Sequence, residues 1–398
     1  MLTIEKIRDA QTVLSGVTHR TNVFRARKIT NFCELWIKAE NLQRTGSFKI
    51  RGAYYKISGL SPEERARGVV ACSAGNHAQG VALAAAENGI RALICLPEGA
   101  PISKVEATRR YGADICLVPG VYDDAYARAL ALRDEYGYTF IHPFDDEDVI
   151  AGQGTVGLEI LEQLQGVDAV VVPVGGGGLI SGVAFAVKTL APHVKVYGVQ
   201  ASGAPSMLNS LRDGRIEALP SVSTIADGIA VKQPGENTYS YCRQFVNGIA
   251  TVSEEEIASA ILALLEQEKI VSEGAGATAV AAVLAGKFPE LKGKKVCCVV
   301  SGGNIDVNIL SRVIDRGLLK TGRKCTLNLE LLDKPGQLVS VLKIVAECGA
   351  NVFSVHHDHA YSSSDVVGCH LRLELETRDF EHIEQIKSRF RNAGFHLI

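Results

Sequence analysis

One lysine in this chain stands where its amine could do covalent chemistry. Lys49 lies in Thr45-Gly46-Ser47-Phe48-Lys49-Ile50-Arg51-Gly52, between an aromatic residue and an isoleucine and just after turn residues. An apolar setting disfavours the ammonium form, lowers the pKa and makes a neutral amine available as a nucleophile. Such an amine can form a Schiff base with an aldehyde. Taken alone, the stretch reads more simply as a solvated surface Lys/Arg pair. Three glycine-rich loops further on change that balance, because each follows a strand-like run.

The run Gly175-Gly176-Gly177-Gly178 sits between the apolar Ala169 to Val174 and a helical stretch from Leu179. Without side chains, backbone N–H groups can approach an anion closely, and a helix N-terminus adds partial positive charge. The run lacks the GxGxxG spacing of a dinucleotide fold and the Gly-Lys-Ser/Thr ending of a P-loop, so it suits a single phosphate better than a pyrophosphate. The alternative is a tight strand-to-helix turn, at the entropic cost of four successive glycines. Ser73-Ala74-Gly75-Asn76-His77 follows another strand and opens another helix. Ser73 and Asn76 offer hydrogen bonds, and exposed N–H groups here could hold a carboxylate, so residues 73–77 are the candidate substrate contacts. Plain N-capping is the alternative for Ser73, and His77 by itself reads as a packed, hydrogen-bonded side chain. Ser301-Gly302-Gly303-Asn304 ends a third strand. Ligands in open α/β sheets bind outside the carboxyl ends of strands, so the three loops can converge on one crevice. A phosphate cup, a lysine and a hydroxyl would suit the phosphate, aldehyde carbon and ring nitrogen of pyridoxal phosphate.

The elements that must position these groups alternate. Apolar runs at 69–72, 92–96 and 114–118 are separated by helical stretches at 77–88 and 103–111, and a further helix is expected at 123–136. The rhythm resumes with a helix expected at 155–165, strands at 169–174 and 195–199, and a last strand at 295–300. Helix Ile4 to Ser15 and strand Cys33 to Glu40 precede them. This is the pattern of βαβ units and parallel sheets covered by helices on both faces. The expectation is a two-lobed α/β fold with a large lobe of residues 1–51 and 146–320 and a small lobe of 52–145. From residue 321 the rhythm changes. Cys325 to Leu331 alternates as a half-exposed strand, Asp333-Lys334-Pro335-Gly336 is a turn, and Leu338 to Cys348 is an amphipathic helix. Strands at 351–358 and 366–376, a helix at 380–390 and a short strand at 395–397 complete a βαββαβ, ferredoxin-like domain over 321–398.

Composition narrows the class. The chain has 398 residues, 46% of them hydrophobic, enough for two or three cores. A formal charge of -2 and the lack of a long basic run speak against a nucleic-acid partner. No apolar stretch of about 18 residues suggests a membrane span, and the charged start is unlike a signal peptide. The ten cysteines show no CxxC pair or Cys/His zinc pattern, and several sit in apolar strands. Reduced thiols in a cytoplasmic protein, with no metal site, are the expectation.

The motifs Ser47-Phe48-Lys49-Ile50-Arg51-Gly52, Ser73-Ala74-Gly75-Asn76-His77-Ala78-Gln79-Gly80, Gly175-Gly176-Gly177-Gly178-Leu179 and Ser301-Gly302-Gly303-Asn304 resemble the signatures of the fold-type II pyridoxal-phosphate enzymes. Within them they resemble the threonine dehydratase (threonine ammonia-lyase) branch. The resemblance covers about residues 1–320, and the remainder resembles an ACT domain, as in the medium-length catabolic form. It implies that Lys49 carries the cofactor and later takes the substrate's Cα proton, and that Phe48 flanks the cofactor ring. It implies that Asn76 meets the cofactor's 3-hydroxyl, that Gly175, Gly176, Gly177, Gly178 and Leu179 hold the phosphate, and that Ser301 meets the ring nitrogen. The implied reaction removes water from threonine and yields 2-oxobutanoate and ammonia, or pyruvate from serine.

A serine racemase of the same fold is the nearest rival. Racemases of this type carry a serine directly before the Gly-Asn pair, where this chain has Ala74, and acidic metal ligands where it has Gln200 and Ser206. A non-catalytic amino-acid sensor is the rival from another class. For the ACT-like domain the resemblance implies a homodimer or homotetramer and an amino-acid effector, with isoleucine or valine as first candidates. The effector would lie near Asp333, Gly336, Gln337, Leu338 and Asn351.

Overall fold

The computed structural model describes residues 1–358 and 368–398. The chain divides into two compact units, Met1–Asp306 and Val307–Ile398, so helix Val307–Lys320 goes with the C-terminal unit.

The first unit holds two sheets. The smaller has four parallel strands in the spatial order Asp114–Val118, Ala92–Pro97, Val69–Cys72 and Thr139–Phe140. The larger has six, in the order Val23–Arg25, Glu34–Ala39, Lys295–Val300, Ala169–Pro173, Lys195–Ala201 and Gly248–Val252. Val23–Arg25 pairs antiparallel and the other neighbours pair parallel. Val69–Cys72 and Ala169–Pro173 are buried throughout, and Lys195–Ala201 and Lys295–Val300 at all but their first residue. Strands covered on both faces have no polar side to show, so they read as unbroken apolar runs.

Two parts of this unit differ from the sequence reading. The helix expected from residue 155 runs Glu147–Gln163. Its start is set by Asp146, whose carboxylate accepts the N–H groups of Asp148 and Val149, and by acidic residues in the first turn. The stretch between residues 200 and 294, unread in the sequence, supplies helices Ser206–Asp213, Glu236–Phe245, Glu254–Ala263 and Gly274–Leu284. The last of these is built from small residues and buried along almost all its length, so it has no amphipathic period to read.

The helices beside the glycine-rich loops cross one another through glycines. A Cβ on Gly80, in helix Asn76–Glu87, would lie 3.1 Å from the carbonyl carbon of Lys49, which begins helix Lys49–Ser58. On the other side of that helix, a Cβ on Gly152 would lie 2.6 Å from the Arg51 oxygen and the Gly52 Cα. Helix Glu147–Gln163 then meets helix Gly178–Leu190 where a Cβ on Gly182 would run into the Ile150 oxygen and the Gly154 nitrogen. Interaxial distance depends on the side chains at the contact, and these contacts have none. Three of the four helices begin at Lys49, Asn76 and Gly178, so the crossings set the spacing of these groups.

In the C-terminal unit the antiparallel sheet has the order Asn351–Asp358, Gly368–Glu376, Lys324–Leu332, His396–Leu397. With helices Gln337–Glu347 and Phe380–Asn392 this is the βαββαβ arrangement. Lys324–Leu332 and Gly368–Glu376 bury every second residue, as one-sided strands do. Leu329, Leu373, Val341 and Phe390 are fully enclosed in its core. Val366 and Val367, expected to begin a strand, lie outside the described residues. No helix among the described residues is long and apolar enough to cross a membrane.

Candidate active site

Lys49 is the first residue of helix Lys49–Ser58, and its Nζ donates to the Pro143 oxygen at 2.7 Å. The same nitrogen lies 5.4 Å from the centre of the Phe48 ring. Burial lowers the Lys49 ammonium to about 8, with the Glu273 carboxylate pulling the other way. An amine with that value is partly in its basic form near neutral pH.

The residue after its acceptor, Phe144, ties the lysine to the glycine run. Cβ atoms on Gly176 or Gly178 would run into Phe144, and one on Gly177 would lie 2.7 Å from Met207 Cε and 2.8 Å from Thr238 Cβ. Gly177 also has φ +98°, a conformation that L side chains rarely adopt. The run is therefore a close-walled turn at the start of helix Gly178–Leu190, whose first N–H groups have no intrahelical acceptor. Thr238 fixes its wall by donating Oγ1 to the Gly176 oxygen at 2.6 Å. Asp145 holds Thr238 in turn, accepting the N–H groups of Thr238 and Glu236. Leu179 packs its side chain into the large core, leaving its backbone at the turn.

The motifs at residues 73–80 and 301–304 join at the other side of Lys49. Phe48 N–H donates to the Ser301 oxygen at 3.1 Å, and Ser47 pairs with Gly302 as an isolated bridge. Asn304 Nδ2 donates to the Thr45 oxygen and to Asn76 Oδ1, both at 2.7 Å. Asn76 Nδ2 donates to Glu273 Oε1 at 2.7 Å. Lys49, Asn76, the glycine run and Ser301 are thus linked to one another through hydrogen bonds and wall contacts.

Directly behind Lys49 lies a buried cluster of four charges. Arg51 is fully enclosed and binds Glu40 through Nε and Nη2, both at 2.8 Å. It binds Glu159 at 2.7 and 3.0 Å and the Thr155 hydroxyl at 3.1 Å. Lys38, also enclosed, donates to Glu159 and to the Thr21 oxygen. Burial pushes the Glu40 carboxyl up, but Arg51 and Lys38 overcome that and hold it below its ordinary value. Two cations and two carboxylates balance, as buried charges must.

A close-walled glycine turn that opens a helix, beside a half-buried amine of lowered basicity, has the groups that a phosphate-bearing aldehyde would need. Residues 14–302 match the family model described as pyridoxal-phosphate dependent enzyme. The chain belongs to that family. It is 54% identical to an L-threonine ammonia-lyase of Thermotoga maritima over 399 residues, covering 100% of this chain and 99% of that protein. Among solved structures, a threonine deaminase isoform of Solanum lycopersicum is 39% identical with a TM-score of 0.76, covering 79% of this chain and 88% of that one. A maize serine racemase is 37% identical with a TM-score of 0.75, covering 80% of this chain and 98% of that one.

Other residues singled out from the sequence take more structural places. Ser73 Oγ accepts the Gly75 N–H at 3.1 Å, and Gly75, not Ser73, is the N-cap of helix Asn76–Glu87. Ala74 packs against the core of the small sheet. His77 is buried, with Nε2 2.8 Å from the Ile141 oxygen, and burial together with the nearby Lys49 charge takes it down to about 3. Gln200 and Ser206 are buried, and Gln200 Oε1 accepts the Leu208 N–H. Among the described residues no group of three His, Cys, Asp or Glu side chains could hold a metal ion.

In the C-terminal unit, Gly336 has φ +92° and caps helix Gln337–Glu347, Asp333 is exposed, and Leu338 packs on the core. Asn351 Nδ2 donates to Glu376. Asn351 and Lys324 both lie opposite Glu376, whereas the 333–336 loop follows Leu332 at the far end of the same strand. Eight residue steps at about 3.3 Å each separate the two ends by roughly 26 Å, so one copy of this unit does not bring the loop and Asn351 together.

Sequence reasoning assigned no role to Glu273, Asn304, Thr238 or the Pro143-Phe144-Asp145 stretch. Ser272-Glu273 before a small-residue helix has the look of a helix start, and that was the available signal for Glu273. Asp145 and Thr238 meet across 93 residues, which no local pattern reveals.

Proposed function

We propose that this chain is a threonine ammonia-lyase that also accepts serine, with Lys49 as its catalytic amine. The observation that carries the reading is the half-buried Lys49 Nζ, held by Pro143 one residue from the wall of the glycine turn that opens helix Gly178–Leu190. Pyridoxal phosphate, when bound, supplies an aldehyde for the substrate's amino group and a ring that draws electrons from Cα. Gly175 to Gly178 and Leu179 offer backbone N–H groups to its phosphate. Asn76 offers its amide to the ring hydroxyl, and Ser301 offers a neutral hydroxyl to the ring nitrogen. Phe48 flanks the site. The 73–77 loop gives N–H groups to the substrate carboxylate. Lys49 Nζ takes the Cα proton, and the β-hydroxyl leaves as water on gaining a proton, so that overall the Cα proton departs with the leaving oxygen. The unsaturated amine released takes up water and yields 2-oxobutanoate and ammonia from threonine, or pyruvate and ammonia from serine. Residues 52–145 form a small lobe that closes over the crevice to exclude water.

The test is 2-oxo acid release from threonine and from serine. Lys49→Ala should abolish it and remove the visible absorbance of bound cofactor while the far-ultraviolet circular dichroism stays unchanged. Turnover and absorbance equal to the parent protein would sink the assignment. The similarity to a serine racemase supports a second reading, but that reaction needs a second acid or base on the opposite face, and Ala74 supplies none. D-serine formation by the unmodified protein would favour it.

The C-terminal unit is read as an ACT-type regulatory domain in a homodimer or homotetramer, with isoleucine or valine as the first effector candidates. Since the 333–336 loop and Asn351 lie at opposite ends of one sheet, a ligand touching both would need two copies of the unit. Regulation then requires tighter effector binding to one state of the enzyme.

A further inference from the structure

We infer that Glu273 and Asn304 are positioning residues that fix the side-chain amide of Asn76, and through it the group presented to the cofactor's ring hydroxyl. The inference rests on the cofactor placement proposed above. Asn76 is held from both ends. Its Oδ1 accepts from Asn304 Nδ2 and its Nδ2 donates to Glu273 Oε1, each at 2.7 Å. A donor on one side and an acceptor on the other permit one amide orientation, which leaves the second N–H of Nδ2 as the free donor.

Glu273 is built into this place. It is 4% exposed, and its N–H donates to the Gly302 oxygen at 3.1 Å. A Cβ on Gly302 would run into Glu273 Oε1, and one on Gly228 would lie 3.3 Å from it. Gly302 and Gly228, the latter in the 3-10 turn Asp227–Ile229, therefore make room for one carboxylate oxygen to reach Asn76.

The arrangement is sensitive to protonation of Glu273. Ionised, the carboxylate only accepts, and its bond to Asn76 is charge-assisted. Protonated, it loses that charge and becomes a donor as well, which suits the flipped amide. The flip would set the Asn76 nitrogen against the nitrogen of Asn304, so the amide keeps its orientation and is held by a neutral, weaker acceptor. Burial raises the Glu273 carboxyl to about 7, the exposed Asp227 adds to this, and Asn76, Lys104 and the Asn304 N–H oppose it. Lys104 is ion-paired with Asp227, and the Lys49 ammonium also feels Glu273.

The experiment compares the parent protein, Glu273→Gln and Glu273→Ala. Apoprotein is titrated with pyridoxal phosphate by absorbance from pH 5.5 to 8.5, and kcat/KM for threonine is taken over the same range. Glutamine keeps an accepting oxygen but cannot titrate. Relative to Glu273→Gln, the parent should lose about fivefold in cofactor affinity between pH 8 and pH 6, the difference between a charged and a neutral acceptor. In Glu273→Gln the acid limb of kcat/KM should lose the step that Glu273 adds near pH 7 and keep only the Lys49 titration. Glu273→Ala should bind the cofactor about tenfold more weakly at all pH values, with glutamine restoring most of the loss. Superimposable parent and Glu273→Gln curves, or parent-like affinity in Glu273→Ala, would overturn the inference. A parent protein that binds the cofactor but releases no 2-oxo acid would instead overturn the reaction assignment, and the affinity curves would still decide the role of Glu273.

Discussion

Replacing Arg51 by methionine should unfold the first unit more readily, and the cost should depend on pH. The guanidinium makes four bonds of 2.7–3.0 Å to Glu40 and Glu159 with no access to water. Without it, two buried carboxylates face the single ammonium of Lys38. Removing one partner of a buried pair typically costs about 3–5 kcal/mol, mostly through the charge left behind. At about 2 °C per kcal/mol for a unit of this size, the thermal midpoint should fall by roughly 6–10 °C. The sign with pH follows from linkage. In the parent protein Glu40 is held below its ordinary value, so its contribution is present at neutral pH and is lost only as pH falls through that lowered value. In the variant burial wins, and a carboxyl of the cluster rises above its unfolded value. The penalty is then full at high pH and shrinks as pH falls through the raised value. The assay is thermal unfolding of both proteins at pH 8 and pH 5.5, followed by circular dichroism. Arg51→Lys, which keeps the charge but loses the fork, serves as a second variant. A midpoint loss under about 2 °C, or an equal loss at both pH values, would refute the account.

Three further outcomes are expected. Gly177→Ala puts a methyl group at φ +98° against Met207 and Thr238, so it should cost about 1–3 kcal/mol, seen as a lower midpoint and weaker pyridoxal phosphate binding in a fluorescence titration. Ser301→Asp places a carboxylate at a residue that is only 3% exposed. It should slow 2-oxo acid release at least tenfold, because a charged partner holds the ring nitrogen protonated; an unchanged rate would place Ser301 away from that nitrogen. A chain ending at Arg323 should keep Lys49 chemistry and lose its response to isoleucine or valine, as read by kinetics and by mass in solution. Identical behaviour of the full and shortened chains would end the regulatory reading.

What could be read from the residues depended on how local each cause was. The glycine run, the buried strand before it and the alternating strands of the C-terminal unit announce themselves because burial on one or both faces acts on consecutive residues. Lys49 stood out through its neighbours in sequence. The walls of the crevice did not. Phe144 meets Gly176 and Gly178 from a loop more than thirty residues away, and Glu273 reaches Asn76 across 197 residues. Arg51 looked like half of a surface pair because its two carboxylate partners come from a short 3-10 turn and a distant helix. Helix Gly274–Leu284 escaped because an element covered on every side carries no periodic contrast.

The glycine crossings bear on how such a site can change over time. Where two helices touch through side chains, a larger residue on one can be answered by a smaller one on the other, and the pair drifts together. At Gly80, Gly152 and Gly182 the touching atoms are backbone. A methyl group there has no counterpart that could shrink to receive it, so the helices themselves would have to part. Variation that retunes which amino acid is accepted is therefore channelled into the loops at the helix ends. The distances between amine, amide and anion cup would be passed on unaltered, and swapping loops from a relative onto this frame should disturb them less than a single added methyl group at a crossing.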